Sequence, residues 1–123
     1  MASILIVEDN PQNMKLETFL LESDGHTVFQ ANDAVSGLQL AASRRPDLVL
    51  MDIQLPGMDG LEAARRLKAD PLTAGIVIYA LTAFAMKGDE ERIREAGCDG
   101  YISKPIRHRE FLDTVKHALG EGK

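Results

Sequence analysis

The 123-residue sequence predicts an α/β fold, a (βα)5 chain whose five parallel strands form one doubly wound sheet in the order 2-1-3-4-5. Three observations carry that prediction. Short apolar runs alternate with longer segments of helical periodicity, as repeated βα units require. The runs Ile4–Val7, Leu48–Met51 and Ile76–Leu81 are apolar throughout, so both faces of those strands must be covered, which is the condition of a parallel sheet. Two of these runs stop abruptly at acid, Glu8-Asp9 and Asp52, which places carboxylates at the carboxyl ends of strands.

The elements follow in order. After the first strand, Ile4–Val7, Asn10 offers an N-cap and Pro11 a first-turn proline, and Leu16, Phe19 and Leu20 form a helical stripe. Asp24-Gly25 breaks that helix. Thr27–Ala31 alternates apolar and polar residues, which fits a half-exposed edge strand. A helix near Ala34–Ser43 is expected to bury Val35, Leu38 and Ala42. Leu48–Met51 is the third strand, and Leu61, Ala64 and Leu67 mark a third helix that stops near Asp70-Pro71. Ile76–Leu81 is the fourth strand. The fourth helix, about Lys87–Ala96, has Ile93 as its main apolar anchor and Ala96 as a minor one within a highly charged stretch. So weak a stripe predicts a helix held loosely against the sheet. Tyr101-Ile102-Ser103 is a short fifth strand before Lys104-Pro105, and the last helix carries Phe111, Leu112, Val115 and Leu119 on one side. Gly120–Lys123 reads as a frayed tail.

At this length the chain, residues 1–123, is expected to be one domain with one core and no residues left for an output domain. Its net charge of −5 and lack of a Lys/Arg patch argue against nucleic acid. No apolar run approaches the ~20 residues that span a bilayer, and the first ten residues lack a secretion signal. With Cys98 as the single cysteine, no intrachain disulfide can form. A cytoplasmic protein with no membrane partner is expected. His26, His108 and His117 share no metal spacing and read as surface residues. Cys98 reads as a small packed residue, and Tyr79 needs a partner for its hydroxyl if it is buried.

In a doubly wound sheet, ligands collect at the carboxyl ends of the strands where strand order reverses. For the order 2-1-3-4-5 that point lies between the first and third strands, the two that end in Asp9 and Asp52. Asp52, followed by a Pro/Gly loop, is expected to be lifted out of the core into solvent. With Glu8, up to three negative charges meet in one crevice. Two such charges ~4 Å apart repel by roughly 4 kcal/mol at an effective dielectric of 20, so one takes a proton or a cation sits among them. Hard oxygen ligands select Mg²⁺ or Ca²⁺, and a few carboxylates with open water positions favour Mg²⁺, which readily binds phosphate. The plainer reading, Glu8 and Asp9 as helix caps, is disfavoured by Asp52 on the neighbouring strand. Thr82-Ala83 closes the fourth strand and Lys104-Pro105 the fifth, supplying a hydroxyl for a phosphoryl oxygen and an ammonium for its charge. Together with the acids they could accept a phosphoryl group on a carboxylate.

Four segments in this order, Ile4-Leu5-Ile6-Val7-Glu8-Asp9-Asn10, Leu50-Met51-Asp52-Ile53-Gln54-Leu55-Pro56, Ala80-Leu81-Thr82-Ala83 and Tyr101-Ile102-Ser103-Lys104-Pro105, resemble the receiver domains of bacterial two-component response regulators over nearly the full length. The stretch from Ala83 to Glu95, with Asn13-Met14-Lys15-Leu16, is most similar to the single-domain, DivK-like branch; receivers of hybrid histidine kinases share much of this wording and stand as the alternative. The resemblance implies a flavodoxin-like, CheY-like receiver fold. It implies that Asp52 accepts phosphate from a histidine kinase or histidine phosphotransfer protein. It implies Mg²⁺, with Mn²⁺ as a substitute, held by Asp9, Asp52 and the backbone carbonyl of Gln54, with Glu8 acting through water. Lys104 would pair with the phosphate across a cis bond to Pro105, and Thr82 and Tyr101 would be the switch residues. Ala83 is small, as access requires, and Gln54 and Phe84 would flank the site where dephosphorylation is tuned. The implied output is protein binding at the fourth helix, fifth strand and fifth helix. The implied chemistry is Mg²⁺-dependent self-phosphorylation and slow autodephosphorylation rather than turnover of a separate substrate.

Three rivals are weaker. A haloacid-dehalogenase-like phosphatase needs an aspartate two residues after its nucleophile, where Gln54 stands. A flavodoxin-like FMN protein needs a Ser/Thr/Gly-rich loop after the first strand, where Glu8 and Asp9 would repel phosphate. A phosphorylation-independent interaction module would lack one of the acids, the threonine or the lysine, and none is missing.

Overall fold

The computed structural model describes residues 2–83 and 87–120. Ten elements alternate: β1 Ser3–Val7, α1 Pro11–Ser23, β2 Thr27–Ala31, α2 Ala34–Arg44, β3 Leu48–Asp52, α3 Gly60–Ala69, β4 Val77–Thr82, α4 Lys87–Glu95, β5 Gly100–Ser103 and α5 His108–Ala118. The strands form one five-stranded sheet in the order β2-β1-β3-β4-β5, with every pairing parallel. The expected fold class and strand order are those observed. β4 starts and ends one residue later than its apolar run suggests, so Thr82 is a strand residue, paired in register with Ser103.

Strand side chains alternate between faces, and here the two faces build two cores. Leu5, Val7, Val49, Met51, Ile78 and Ala80 join α2, α3 and α4 through Ala41, Leu61, Leu67 and Ile93. Ile4, Ile6, Leu48, Leu50 and Leu81 join α1 and α5 through Leu20, Leu21, Phe111 and Val115. Each of the large aliphatic side chains sealed here contributes about 1.5–3 kcal/mol, and they hold the strand ends level. β2 is the half-exposed edge strand expected of it.

Among the described residues three helix starts are capped by side chains: Asn10 Oδ1 accepts from the Gln12 and Asn13 N–H groups, Asp33 Oδ1 from Ser36 N–H and Asp59 Oδ1 from Glu62 N–H. Each such cap is worth about 1 kcal/mol. Gly25, in the left-handed region at φ 91°, follows α1 and lets the chain turn into β2.

Two helix faces differ from expectation. On α1 the buried residues are Met14, Glu17, Leu20 and Leu21, while Leu16 is partly buried and Phe19 is 65 % exposed. On α2 they are Ala34, Gly37 and Ala41; Leu38 is half-buried, and Val35 and Ala42 face outward. The reason is distance. α2 lies so close to β1 that a Cβ on Gly37 would fall 2.7 Å from a Val7 methyl, so small residues rather than the bulkiest ones face the sheet. His26 is buried rather than on the surface, its Nδ1 accepting from the Ala2 N–H at 3.3 Å. His108 and His117 are exposed and Cys98 is buried, as expected. Tyr79 is half-buried, and its ring lies over its register partner Gly100, where a Cβ would come within 2.6 Å of it. Ile93 and Ala96 are the buried anchors of the α4 segment. Among the described residues no helix is long and apolar enough to cross a membrane.

Candidate functional site

Strand alternation explains which side chains meet beyond the carboxyl edge of the sheet. Glu8, Asp52 and Lys104 continue the parity of Ile6, Leu50 and Ile102, all members of the α1/α5 core. Thr82 and Tyr101 instead share the face of Ala80 and Ile93, on the side of α4. The site therefore draws on both faces of the sheet: Glu8, Asp52 and Lys104 come from one, and the Thr82 and Tyr101 hydroxyl groups from the other.

Lys104 Nζ lies 2.9 Å from Asp52 Oδ2 and 2.9 Å from Glu8 Oε1. The first contact is a hydrogen bond. The second is too poorly directed to be one, so its attraction is ionic and Glu8 Oε1 keeps unused acceptor capacity. The Lys104 N–H also donates to the Thr82 carbonyl at 2.8 Å, which fixes the lysine against the end of β4. The Lys104-Pro105 peptide is cis.

Asp52 is 3 % exposed, so it is not lifted into solvent. Its Oδ2 is covered by Lys104, and its Oδ1 accepts from the Gln54 N–H at 2.8 Å as the loop folds back. Behind it, α3 begins so close that a Cβ on Gly60 would stand 2.1 Å from the Asp52 carbonyl oxygen. Glu8 is buried and Asp9 exposed. Neither caps α1, because Asn10 does; Glu8 Oε2 only accepts from the Asn10 N–H at 3.3 Å.

Carboxylate oxygens of Glu8, Asp9 and Asp52 lie within 4.8 Å of one another. At that separation each pair of charges repels by roughly 3 kcal/mol at an effective dielectric of 20, and one lysine cannot offset three acids. Burial, then the hydrogen-bonded contact with Asp52, raises the Glu8 carboxyl above its ordinary range, with Lys104 opposing. Burial alone would lower the Lys104 ammonium, but its contacts with Asp52 and Glu8 outweigh that and raise it. An all-oxygen set with one open face and a buried, unused acceptor suits a hard divalent cation that retains water, and Mg²⁺ fits.

Glu17, which was not among the residues expected, lies beside Glu8 outside this set of three. It is fully buried on α1, and neither carboxylate oxygen has a hydrogen-bond partner. Burial, then the neighbouring Glu8, pushes its carboxyl up to about 9. The signal was present in the spacing: Met14, Glu17 and Leu20 or Leu21 lie three or four apart on one helix face.

Of the remaining expected residues, Thr82 is buried, while Ala83 and Gln54 are exposed at the mouth. Phe84 lies outside the described residues. Tyr101 is half-buried, and its hydroxyl donates to Glu90 Oε1 on α4 rather than turning toward the crevice.

Residues 4–116 match the family described as response regulator receiver domain. The chain is 51 % identical over 119 residues to the polar-differentiation response regulator DivK of Brucella anthropi, covering 97 % of each chain. Among solved structures it resembles the receiver domain of a sensor histidine kinase from Pseudomonas aeruginosa, which holds a magnesium ion in its active-site cleft, at TM-score 0.89 and 35 % identity over 98 % of each chain. A response regulator from Chloroflexus aurantiacus superposes at TM-score 0.92 with 30 % identity, again over 98 % of each.

Proposed function

The chain belongs to the response regulator receiver family, and from that premise we propose that it relays a phosphoryl group from a histidine kinase or histidine phosphotransfer protein onto Asp52 and signals by binding another protein. The observation that carries this reading is the double 2.9 Å contact of Lys104 with Asp52 and Glu8 at the end of the sheet. An ammonium already seated on the acceptor carboxylate is placed to follow the charge onto an incoming phosphoryl group.

In the transfer, the P–N bond of a phosphohistidine breaks as a P–O bond to an Asp52 carboxylate oxygen forms, and the histidine leaves as neutral imidazole after taking up a proton. Asp9, Asp52 and the Gln54 carbonyl, with Glu8 through water, would hold Mg²⁺, or Mn²⁺ in its place. When bound, the metal supplies charge neutralisation to the phosphoryl oxygens. Asp52 gives up its bond from Lys104 to become the nucleophile, and the ammonium passes to a phosphoryl oxygen. The product carries about −1.5 to −2 charge, which draws the Thr82 hydroxyl and Lys104 toward it. Small, exposed Ala83 leaves the approach open; Gln54, with Phe84, would set how water reaches the phosphoaspartate.

The downstream partner would bind α4, β5 and α5, the face that includes Tyr101 and its partner Glu90. We read the protein as a cytoplasmic regulator of the DivK-like kind, with the receiver of a hybrid histidine kinase as the alternative; the 51 % identity to a DivK supports the first reading, and an immunoblot of the native protein's size decides between them. The central test is incubation with acetyl phosphate, with and without Mg²⁺, read on a phosphate-affinity gel. Labelling should require the metal and vanish in Asp52→Asn; labelling that survives that substitution overturns the assignment.

A further inference from the structure

The Tyr101 hydroxyl donates to Glu90 Oε1, joining β5 to a helix whose buried apolar anchoring rests on Ile93 and Ala96 near its far end. Three features make this contact more than surface decoration. Tyr101 stands beside Ala80 in register, and Thr82 lies two residues further on the same face of β4, so the ring and the threonine share one side of the sheet. Ala80 offers only a methyl group between them, leaving the phenol a short path along the sheet. And Glu90 belongs to the first turn of α4, where the neighbouring acids look elsewhere: Asp89 pairs along the helix with Arg92 at 3.4 Å, and Glu91 is exposed. The bond to Glu90, with burial second, raises the phenol above its ordinary value, so it stays a donor.

We propose that Glu90 is a latch that holds Tyr101 outward against α4, so that activation at Asp52 must break the Tyr101–Glu90 bond before the ring can move toward Thr82. The proposal rests on the phosphoacceptor reading of Asp52 and adds to it a residue that sets the resting bias of the switch. A phenol–carboxylate bond is charge-assisted, and whatever free energy it gives the outward state is withheld from any ligand that favours the inward one. Glu90 thus acts at a distance from the phosphate, as a positioning residue for Tyr101.

The test uses the full chain labelled with 3-fluorotyrosine, with the Tyr101 signal assigned by its loss in Tyr101→Phe. In the ligand-free protein, Glu90→Ala should move the Tyr101 fluorine resonance, and Glu90→Gln, which retains an acceptor, should move it less. Affinity for beryllofluoride in the presence of Mg²⁺ should rise about 3- to 10-fold in Glu90→Ala, the factor expected for losing one partly exposed bond. That gain should disappear when Glu90→Ala is placed in the Tyr101→Phe background. An unmoved fluorine signal, or an affinity gain that persists without the Tyr101 hydroxyl, overturns the latch. A wild-type protein that does not bind beryllofluoride would instead count against the phosphoacceptor reading, while the fluorine comparison still decides the latch. Matching melting curves for the variants check that α4 remains folded.

Discussion

Glu17 is sealed inside the fold beside Glu8, and neither of its carboxylate oxygens meets a hydrogen-bond donor. Two buried carboxylates side by side coexist if one carries a proton, and the proton belongs on Glu17, because Glu8 has the Asn10 N–H and Lys104 to support its charge while Glu17 has neither. The acid crevice of the metal-free protein therefore holds fewer charges than its residue count suggests.

A pH dependence follows. The Glu17 carboxyl sits at about 9 in the folded protein against an ordinary value of 4.5. Between those values the folded state keeps a proton that the unfolded state has lost, so stability falls as pH rises. The contribution is fully present below the ordinary value and is gone above the folded one. Its slope is at most about 1.4 kcal/mol per pH unit. Urea unfolding in EDTA from pH 5.5 to 9 should show wild type losing stability relative to Glu17→Gln, whose amide keeps the shape without titrating. Parallel curves for the two proteins would show that Glu17 is not the group responsible.

Lys104 offsets two buried acids at once. Lys104→Met should leave both uncompensated and destabilise the metal-free protein by about 3 kcal/mol, at the low end for a broken buried pair because the lysine is partly solvated. Part of that loss should return on adding Mg²⁺. Chemical unfolding with and without the metal measures both changes; a metal-free variant as stable as wild type would mean the contacts contribute little.

Mg²⁺ should itself stabilise the fold. At ten times its dissociation constant a ligand that binds only the native state adds about 1.4 kcal/mol, a rise of about 4–7 °C in Tm for a domain of this size. Asp9 is exposed and its removal relieves repulsion, so Asp9→Asn should leave metal-free stability unchanged or higher while abolishing the metal-induced rise. Thermal scans against MgCl2, reversed by EDTA, separate the two effects.

The strand ends were legible because a parallel sheet makes them so: apolar runs locate β1, β3 and β4, and whatever polar residue follows each must lie at the carboxyl edge. Glu8, Asp52 and Thr82 were found in this way, and Lys104 as the residue after the short fifth strand. Helix faces were read less well. Hydrophobicity placed Phe19 and Val35 inward, yet both are exposed, because the contact is decided by how closely the helix approaches the sheet. Small Gly37 and Ala41 win on α2, and an acid, Glu17, takes a core position on α1. Solvent access at Asp52 was misjudged for a related reason: its cover comes from Lys104, which is 52 residues away in sequence. The Tyr101–Glu90 contact has no sequence signature at all, since Glu90 is one acid among several on α4.

Cys98 gives a prediction about reactivity. It is buried, and burial, then the charge of Asp99, pushes its thiol up to about 11. A thiol-disulfide reagent at pH 8 should react with it at least about 100-fold more slowly in the folded chain than in urea, since the thiolate is both scarce and covered. Rapid labelling of the native protein would mean that the α4–β5 connection opens readily.

Gly60 supplies the most direct link between packing and the site. Its first-turn position in α3 is capped by Asp59, and the helix start rests on the backbone of the β3 end, where a Cβ would stand 2.1 Å from the Asp52 carbonyl oxygen and 2.8 Å from the Ile53 Cα. Both obstacles are backbone and cannot turn aside as a side chain would. Gly60→Ala must therefore push α3 away from the strand end or shift Asp52 itself. Overpacking of this kind costs typically about 1–3 kcal/mol, against the small gain that alanine otherwise brings to a helix. Urea unfolding should show that loss, and acetyl phosphate labelling of the fraction that remains folded should fall as well, because the acceptor carboxylate moves relative to Lys104. Gly88→Ala is the matched control: a Cβ there meets nothing within 4 Å, so its stability should be unchanged or slightly higher. A Gly60→Ala protein that keeps both wild-type stability and labelling would show that the β3 end is more yielding than this close approach implies.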